Sequence, residues 1–221
     1  MPGSDFAQLV HIAADAVTIE GMLVIPGGAP GIVLFAHGSG SSRHSPRNTF
    51  VAEVLQRAGL GTLLIDLLSQ EEDMSYETRF DIHLLANRLT AATQWLQTQP
   101  PTKDLGIGYF GASTGAAAAL QAAAALGPVI RAVVSRGGRP DLAWAALEHV
   151  QAPTLLILGG RDDVVIELNQ GAHARLHADK QLVIVPGATH VFEEPGALPE
   201  VARLAAAWFS RYLPPQTAPD R

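Results

Sequence analysis

The stretch that decides the fold runs from 105 to 126, L-G-I-G-Y-F-G-A-S-T-G-A-A-A-A-L-Q-A-A-A-A-L. Its first part, Leu105–Phe110, is apolar without alternation, which predicts a strand buried on both faces of a sheet. Its last part, Ala116–Leu126, is rich in alanine and favours a helix. Glycine and alanine make the whole stretch too weakly apolar for a membrane span. We therefore expect a strand, a sharp turn at 111–115 and a buried helix.

Further strands of the same kind lie on either side of this stretch. They are short, apolar and unalternating: Ile32–Ala36, Thr62–Ile65, Ile130–Val134, Thr154–Leu158 and Leu182–Val185. Helical patterns separate them, and Ser45 followed by Pro46 is typical of a helix N-terminus. Alternating strands and helices predict a doubly wound, mostly parallel α/β sheet. The earlier segment Val17–Ile25 is predicted to be the second strand of an N-terminal antiparallel hairpin.

Length and composition limit the classes of protein that need to be considered. The chain has 221 residues, of which 48% are hydrophobic and 16% charged, with a formal net charge of −6. These values favour one globular domain over residues 1–221 and argue against nucleic-acid binding. Cysteine is absent and no secretory leader is visible, so we expect a cytoplasmic protein without disulfides or a membrane partner. Residues 214–221 are predicted to form a flexible tail. The expected oligomeric state is a monomer or a homodimer.

Three loops that follow predicted strands carry the residue types of nucleophilic catalysis. G-x-S-x-G between a strand and a helix is the nucleophile elbow, which presents Ser113 at the N-terminus of the helix. Asp162 and Asp163 follow a later strand, and either carboxylate can orient a histidine. His190 follows the last strand and supplies an imidazole, a proton relay suited to neutral pH. Because ligands bind beyond the carboxyl ends of strands in such sheets, we expect these groups to converge.

A fourth loop, H-G-S-G at 37–40, is a candidate for the oxyanion hole. Acyl transfer needs two N–H donors directed at the developing oxyanion. One donor is predicted to be the amide of Thr114, which follows the candidate nucleophile. The other is predicted to be the amide of Ser39, with Gly40 as the alternative, and His37 is expected to brace the loop.

Four motifs carry a resemblance to a known family. They are H-G-S-G-S-S-R-H-S-P-R-N (37–48), G-A-S-T-G (111–115), G-G-R-D-D-V-V (159–165) and G-A-T-H-V-F (187–192). They resemble motifs of the α/β-hydrolase superfamily and, within it, of the dienelactone hydrolase-like family, and the resemblance spans almost the whole chain. It implies the α/β-hydrolase fold, with an eight-stranded, mostly parallel sheet whose second strand is antiparallel and with helices on both faces. It also implies a triad of Ser113, His190 and Asp162, since Asp162 fits the family spacing G-x-x-D-x-x-V. The namesake enzymes use a cysteine nucleophile, where this chain has Ser113.

These features predict a serine hydrolase that cleaves carboxylic esters through an acyl-enzyme on Ser113, with His190 as base and Asp162 as its orienter. The chain between the strands ending at Val134 and beginning at Thr154 leaves room for one short helix and no large lid domain. An open site favours small esters with short acyl chains. The alternatives are a thioesterase or other acyl hydrolase on the same triad, and a non-catalytic ligand-binding protein of this fold.

A small-molecule ester is the expected partner. Its contacts are predicted to include Gly40, His44, Leu67, Tyr76, Arg139, Trp144 and Val191, although His44 is equally expected at the surface. No cofactor is expected, because G-x-G-x-x-G at 106–111 lies within a predicted strand and lacks the later acid of a dinucleotide site. No metal is expected, because His173 and His177 lack a third ligand.

Overall fold

The structure, a computed structural model, describes residues 5–214 and contains one eight-stranded sheet. The strands are β1 (Phe6–Ala14), β2 (Val17–Ile25), β3 (Gly31–Ala36), β4 (Gly61–Ile65), β5 (Gly106–Ala112), β6 (Ile130–Arg136), β7 (Thr154–Gly159) and β8 (Lys180–Val185). They lie side by side in the order β1-β2-β4-β3-β5-β6-β7-β8. This order places β5, which precedes the predicted nucleophile, in the middle of the sheet.

Six α-helices accompany the sheet within the described residues. They are α1 (Pro46–Arg57), α2 (Tyr76–Arg79), α3 (Ile82–Thr98), α4 (Thr114–Leu126), α5 (Asp163–Arg175) and α6 (Ala197–Tyr212). The apolar residues on α3, α4 and α5 pack against one face of the sheet, and those on α1 and α6 pack against the other. The helix start predicted at Ser45 is confirmed, since the Ser45 side chain accepts a hydrogen bond from the Asn48 N–H.

The predicted α/β-hydrolase fold is confirmed by the strand directions. Strands β3 to β8 run parallel to one another. Strand β2 is antiparallel to both β1 and β4, which is the N-terminal hairpin expected from Val17–Ile25. Every residue of β3, β4 and β7 is buried, because helices cover both faces of the sheet at these strands. Burial on both faces explains why these strands show no alternation in the sequence.

The turn after β5 is tighter than the sequence pattern indicates. Strand β5 continues to Ala112 and α4 begins at Thr114, so Ser113 is the single residue between them. The sequence predicts a strand end at Phe110 and a helix start at Ala116, because glycine weakens both patterns. The shorter turn places Ser113 directly at the N-terminus of α4.

The connection between β6 and β7 is short and agrees with the prediction of no large lid. Where one short helix was predicted, it contains the 3₁₀ segment Pro140–His149, which is kinked at Ala143 into two shorter pieces. Within residues 5–214, none of the helices combines the length and apolar character needed to cross a bilayer. The predicted flexible tail, 214–221, lies outside the described residues except for Pro214.

Candidate active site

The backbone of Ser113 has the strained conformation that a nucleophile elbow requires. Its φ is 52° and its ψ is −120°, a combination that non-glycine residues rarely adopt. Three hydrogen bonds hold it there: the Ser113 N–H donates to the Arg136 carbonyl at 3.2 Å, and the Ser113 carbonyl accepts from Ala116 at 3.1 Å and from Arg139 at 3.1 Å. Such strain typically costs about 1–3 kcal/mol and persists only where the surroundings enforce it. Here β6 and α4 enforce it.

Glycine is required on both sides of this turn because backbone segments approach closely. A Cβ at Gly111 would lie 2.4 Å from the Cα of Ala116 in α4. A Cβ at Gly115 would lie 2.2 Å from the Ala36 carbonyl oxygen at the end of β3. The two glycines of the G-x-S-x-G motif therefore let α4 pack against β5 and β3 with Ser113 between them.

The candidate base and its orienting carboxylate are in direct contact. Nδ1 of His190 and Oδ2 of Asp162 are 2.6 Å apart, and the Asp162 side chain is mostly buried. The two loops are also joined by the Arg161 N–H, which donates to the Ala188 carbonyl at 2.9 Å. Asp163, the rival carboxylate, is exposed in the first turn of α5. The contact with Asp162 leaves Nε2 of His190 for a second partner.

Ser113 and His190 meet the same short segment, Arg136–Gly137, at the end of β6. The Arg136 carbonyl binds the Ser113 N–H, and a Cβ at Gly137 would lie 3.4 Å from Nδ1 of His190. No hydrogen bond joins the Ser113 hydroxyl to His190 within residues 5–214. Catalytic hydrogen bonds are often long without substrate and tighten in the complex. Both residues therefore lie at the carboxyl-terminal edge of the parallel strands, next to Arg136–Gly137.

The loop that carries His190 is anchored by two residues that follow it. Phe192 has a φ of 58° and is 1% exposed, so its ring fixes the loop in the core next to α1 and α6. Oε2 of Glu194 accepts a hydrogen bond from the Thr189 N–H at 3.0 Å. That hydrogen bond lowers the pKa of Glu194, so the carboxylate stays charged and holds the loop.

The predicted oxyanion loop is bound to the elbow through a side chain. The Ser39 N–H donates to Oγ1 of Thr114 at 2.9 Å, so an oxyanion would have to compete with this hydroxyl for the Ser39 amide. Gly40 has a φ of 68° in a turn closed by the Ser41 N–H, which donates to the Gly38 carbonyl at 3.1 Å. The assignment of the Ser39 or Gly40 amide to the oxyanion hole stays a prediction.

His37 braces this loop from beneath. Its Nε2 accepts a hydrogen bond from the Leu67 N–H at 2.9 Å, and its Nδ1 lies 3.0 Å from the Gly38 carbonyl. Since Nε2 must accept, Nδ1 carries the proton and the ring is neutral. Burial lowers the pKa of His37 from its ordinary value of 6.5, opposed by the hydrogen bond to Gly38. His37 therefore joins the loops after β3 and β4 in its neutral form only.

Acidification is expected to destabilise the protein through His37. Below about pH 6.5, the unfolded chain binds a proton at this ring while the folded protein does not, so the free energy of unfolding falls as the pH falls. The slope attributable to one such group is at most about 1.4 kcal/mol per pH unit. Urea unfolding between pH 7.5 and pH 5 of the protein and of His37→Gln measures it, because glutamine does not titrate. Equal slopes in the two proteins would show that His37 does not carry the effect.

Two of the predicted substrate contacts lie elsewhere in the structure. Leu67 is 0% exposed, because its side chain packs in the core under α3 and α4, which leaves it no surface for a ligand. That prediction is wrong for the side chain, although the Leu67 amide supports His37. His44 is exposed and lines a groove with Leu9 and Met22 of the N-terminal hairpin. Of the two expectations for His44, the structure supports the one that places it at the protein surface.

Of the other predicted contacts, Arg139 touches the elbow directly. Arg139 donates its N–H to the Ser113 carbonyl and forms a bidentate ion pair with Asp141 at 2.8 and 2.7 Å. Tyr76 is 73% exposed and packs on the ring of Phe80. Trp144 faces α5, where the guanidinium of Arg175 lies 5.0 Å from its ring centre. Val191, beside His190, and Gly40 are partly or fully exposed. These positions stay candidate contacts.

Sequence reasoning missed the support that β6 and α5 give to the site. Gly137 lies against His190 with a φ of 51°. Asn169 of α5 is fully buried and donates to the Gly138 carbonyl at 2.9 Å, which fixes the turn that follows β6. The sequence signal for this support is the pair Gly137 and Gly138 directly after a buried strand, because adjacent glycines indicate a close approach of backbone segments.

The described residues offer no group of three or more His, Asp or Glu side chains positioned to hold a metal ion. His173 is partly exposed in α5, and its pKa is lowered by burial and by the charge of Lys180.

A strained serine between the central strand and a helix, on an eight-stranded sheet of this order, defines an α/β-hydrolase-fold protein. More narrowly, the chain belongs to the dienelactone hydrolase family, whose sequence profile matches residues 19–213. The crystal structure of a dienelactone hydrolase from Anabaena variabilis is 59% identical, with a TM-score of 0.92 over 94% of this chain and 98% of that one. Est1E from Butyrivibrio proteoclasticus has the same fold at 15% identity, with a TM-score of 0.78 over 93% of this chain and 98% of that one.

A curated relative from Mycobacterium tuberculosis is provisionally named a phosphoribosyl transferase. It is 60% identical over 204 residues, which is 92% of this chain but only 46% of the relative. The chain thus spans about half the length of this relative. The relative's name describes that longer protein.

Proposed function

We propose that the protein is a serine hydrolase of carboxylic esters with short acyl chains. The observation that carries the proposal is the 2.6 Å contact between Nδ1 of His190 and Oδ2 of Asp162, beside a serine held at a φ of 52°. Membership in a family named for a hydrolase supports the reaction class. Serine in place of the cysteine of the namesake enzymes favours a serine esterase over a hydrolase of dienelactones.

In the proposed reaction, Nε2 of His190 takes the proton of the Ser113 hydroxyl as its oxygen attacks the ester carbonyl. Asp162 holds the ring through Nδ1 and stabilises the imidazolium that forms. The protonated ring then gives its proton to the leaving alkoxide, and the ester C–O bond breaks to leave an acyl-enzyme. Water, deprotonated by the same ring, attacks the acyl carbonyl and releases the acid and free Ser113.

The oxyanion of this reaction is proposed to lie at the N-terminus of α4. The amide of Thr114 is the first N–H of that helix, where the helix dipole favours negative charge. The second donor is the amide of Ser39 or of Gly40. In the case of Ser39, the Thr114 hydroxyl must rotate away or itself donate to the oxyanion. Removing one donor from such a site typically costs about 3–4 kcal/mol of transition-state stabilisation.

Short acyl chains are favoured because the loop after β6 carries only the 3₁₀ segment Pro140–His149. A long acyl chain needs an extended apolar wall, which lid insertions supply. Activity that rises toward acyl chains of 12 to 16 carbons would contradict the short-chain proposal.

Covalent labelling with a fluorophosphonate, read by intact mass and peptide mapping, tests the proposal. We expect one adduct on Ser113 and hydrolysis of p-nitrophenyl butyrate. Ser113→Ala and His190→Ala are expected to lose both, with kcat reduced on the order of 10⁴- to 10⁶-fold. Ser210→Ala, an exposed serine on α6, serves as the matched control and is expected to behave as the unchanged protein. Absence of an adduct on folded protein would favour a non-catalytic ligand-binding protein instead.

A further inference from the structure

Arg136, the last residue of β6, is a buried arginine whose guanidinium has no hydrogen-bond partner within the described chain. The residue is 8% exposed, and its Nε and Nη1 are buried without a hydrogen-bond acceptor among residues 5–214. Side chains alternate along a strand, so Arg136 lies on the same face as Val134, which packs with residues of α1 and α6. Burying an unpaired charge lowers the stability of the fold, and polar groups buried in native proteins nearly always have a hydrogen-bond partner.

A second arginine lies close to the first and is also incompletely paired. Nε of Arg47, in the first turn of α1, is buried without an acceptor in the described chain. Its ion pair with Glu193 is long, at 3.4 Å, and the Glu193 side chain is 70% exposed. Burial, and secondly the charge of Arg47, lower the pKa of Arg136 to about 10, so the Arg136 guanidinium stays charged at neutral pH.

The N-terminus of α1 adds to this positive charge. The first turn of α1 contains no acidic residue, and the helix dipole places partial positive charge at this end. The side-chain oxygen of Asn48 in the same turn is buried without a donor among the described residues. Two cations and a helix N-terminus are balanced best by a dianion. Inorganic hydrogen phosphate and an organic phosphate monoester both have two negative charges above their second pKa of about 6. Hydrogen phosphate also has one O–H that can donate to the Asn48 side-chain oxygen.

We propose that Arg136, Arg47 and the N-terminus of α1 form a binding site for a phosphate group. The site adjoins the catalytic loops through the backbone. The carbonyl of Arg136 binds the Ser113 N–H, and Glu193, the partner of Arg47, lies three residues after His190. A phosphate bound here belongs either to an organic ligand that extends toward Ser113 or to free inorganic phosphate that occupies the site alone.

Isothermal titration of the Ser113→Ala chain with inorganic phosphate, at constant ionic strength in sodium chloride, tests the site without relying on ester hydrolysis. We expect binding that Arg136→Gln weakens at least about tenfold, because charge-assisted bidentate hydrogen bonds are lost. Arg47→Gln is expected to weaken it less, since half-exposed charges contribute less. Arg131→Gln removes an exposed arginine from the other end of β6 and is the matched control, with unchanged affinity.

Replacement of inorganic phosphate by phenyl phosphate separates the two sources. Tighter binding of phenyl phosphate than of inorganic phosphate assigns the phosphate to an organic ligand, whereas equal or weaker binding assigns the site to the free ion. In either case the affinity must be weakened in Arg136→Gln. Arg136→Gln is expected to fold, because the Arg136 guanidinium has no hydrogen-bond partner to lose between residues 5 and 214, and the thermal midpoint of the variant without phosphate verifies this. Phosphate binding that is absent, or that is equal in Arg136→Gln and Arg131→Gln, would overturn the proposal.

Discussion

Gly115→Ala is expected to destabilise the fold by about 4 kcal/mol or more, which places it in the extreme tail of single-substitution effects. A Cβ at this position would lie 2.2 Å from the Ala36 carbonyl oxygen and 2.4 Å from that of His37. These are backbone atoms at the end of β3, so the clash can be relieved only by moving α4 away from the sheet. That movement would also displace Ser113 and the loop at 37–40. Urea unfolding followed by far-ultraviolet circular dichroism measures the loss.

Gly106→Ala is the matched control, since it changes a glycine of the neighbouring strand β5. The nearest atom to a Cβ there is Cδ2 of Leu213 at 3.4 Å, an ordinary contact with a flexible side chain. We expect its free energy of unfolding to stay within about 1 kcal/mol of that of the unchanged protein. If both variants unfolded at similar urea concentrations, the close approach of α4 to β3 would not be what requires glycine at 115.

The sequence predicts most of this fold because its strongest local signals agree with each other. Strands buried on both faces appear in the sequence as unalternating apolar runs, and all six segments predicted in this way are strands. The prediction of burial is wrong for β8, which lies at the edge of the sheet and in which only Val185 is buried. The G-x-S-x-G spacing predicts a strained serine, and the φ of 52° at Ser113 agrees. Errors of a few residues occur where glycine flanks Ser113, because propensity there conflicts with the packing of α4 on β5.

The contacts that support the candidate site could not be predicted from the sequence, because each of them joins distant parts of the chain. Gly137 is constrained by His190, which lies more than fifty residues further on. The Ser39 amide is engaged by Thr114, and nothing local to either residue indicates this. Leu67 follows a strand, as pocket residues commonly do, yet its side chain turns into the core. Side-chain direction at the end of a strand is decided by the neighbouring layer and not by the local sequence.

Asp162→Asn is expected to lower kcat for ester hydrolysis about 10³- to 10⁴-fold while leaving the fold intact. The Asp162 carboxylate accepts a hydrogen bond from Nδ1–H of His190 at 2.6 Å. Asparagine can present its amide N–H there instead, which favours the tautomer with the proton on Nε2, where the base must accept a proton from Ser113. It also removes the negative charge that stabilises the imidazolium. Steady-state kinetics with p-nitrophenyl butyrate and the rate of fluorophosphonate labelling measure the loss.

Asp163→Asn separates the triad role from a general effect of charge at this loop. Asp163 is adjacent in sequence, exposed, and in the first turn of α5, so its removal changes the same net charge without touching His190. Asp163→Asn is expected to cost a few tenths of a kcal/mol of stability through the helix dipole, and to change kcat less than about twofold.

Equal losses of kcat in the two variants would indicate that His190 requires a negative charge near it and not the hydrogen bond from its Nδ1 to Asp162. A loss confined to Asp163→Asn would assign the orienting carboxylate to the other residue, against both the 2.6 Å contact and the G-x-x-D-x-x-V spacing. Since the two variants have the same composition and net charge, any difference between them must come from geometry, which is what the assignment of Asp162 rests on.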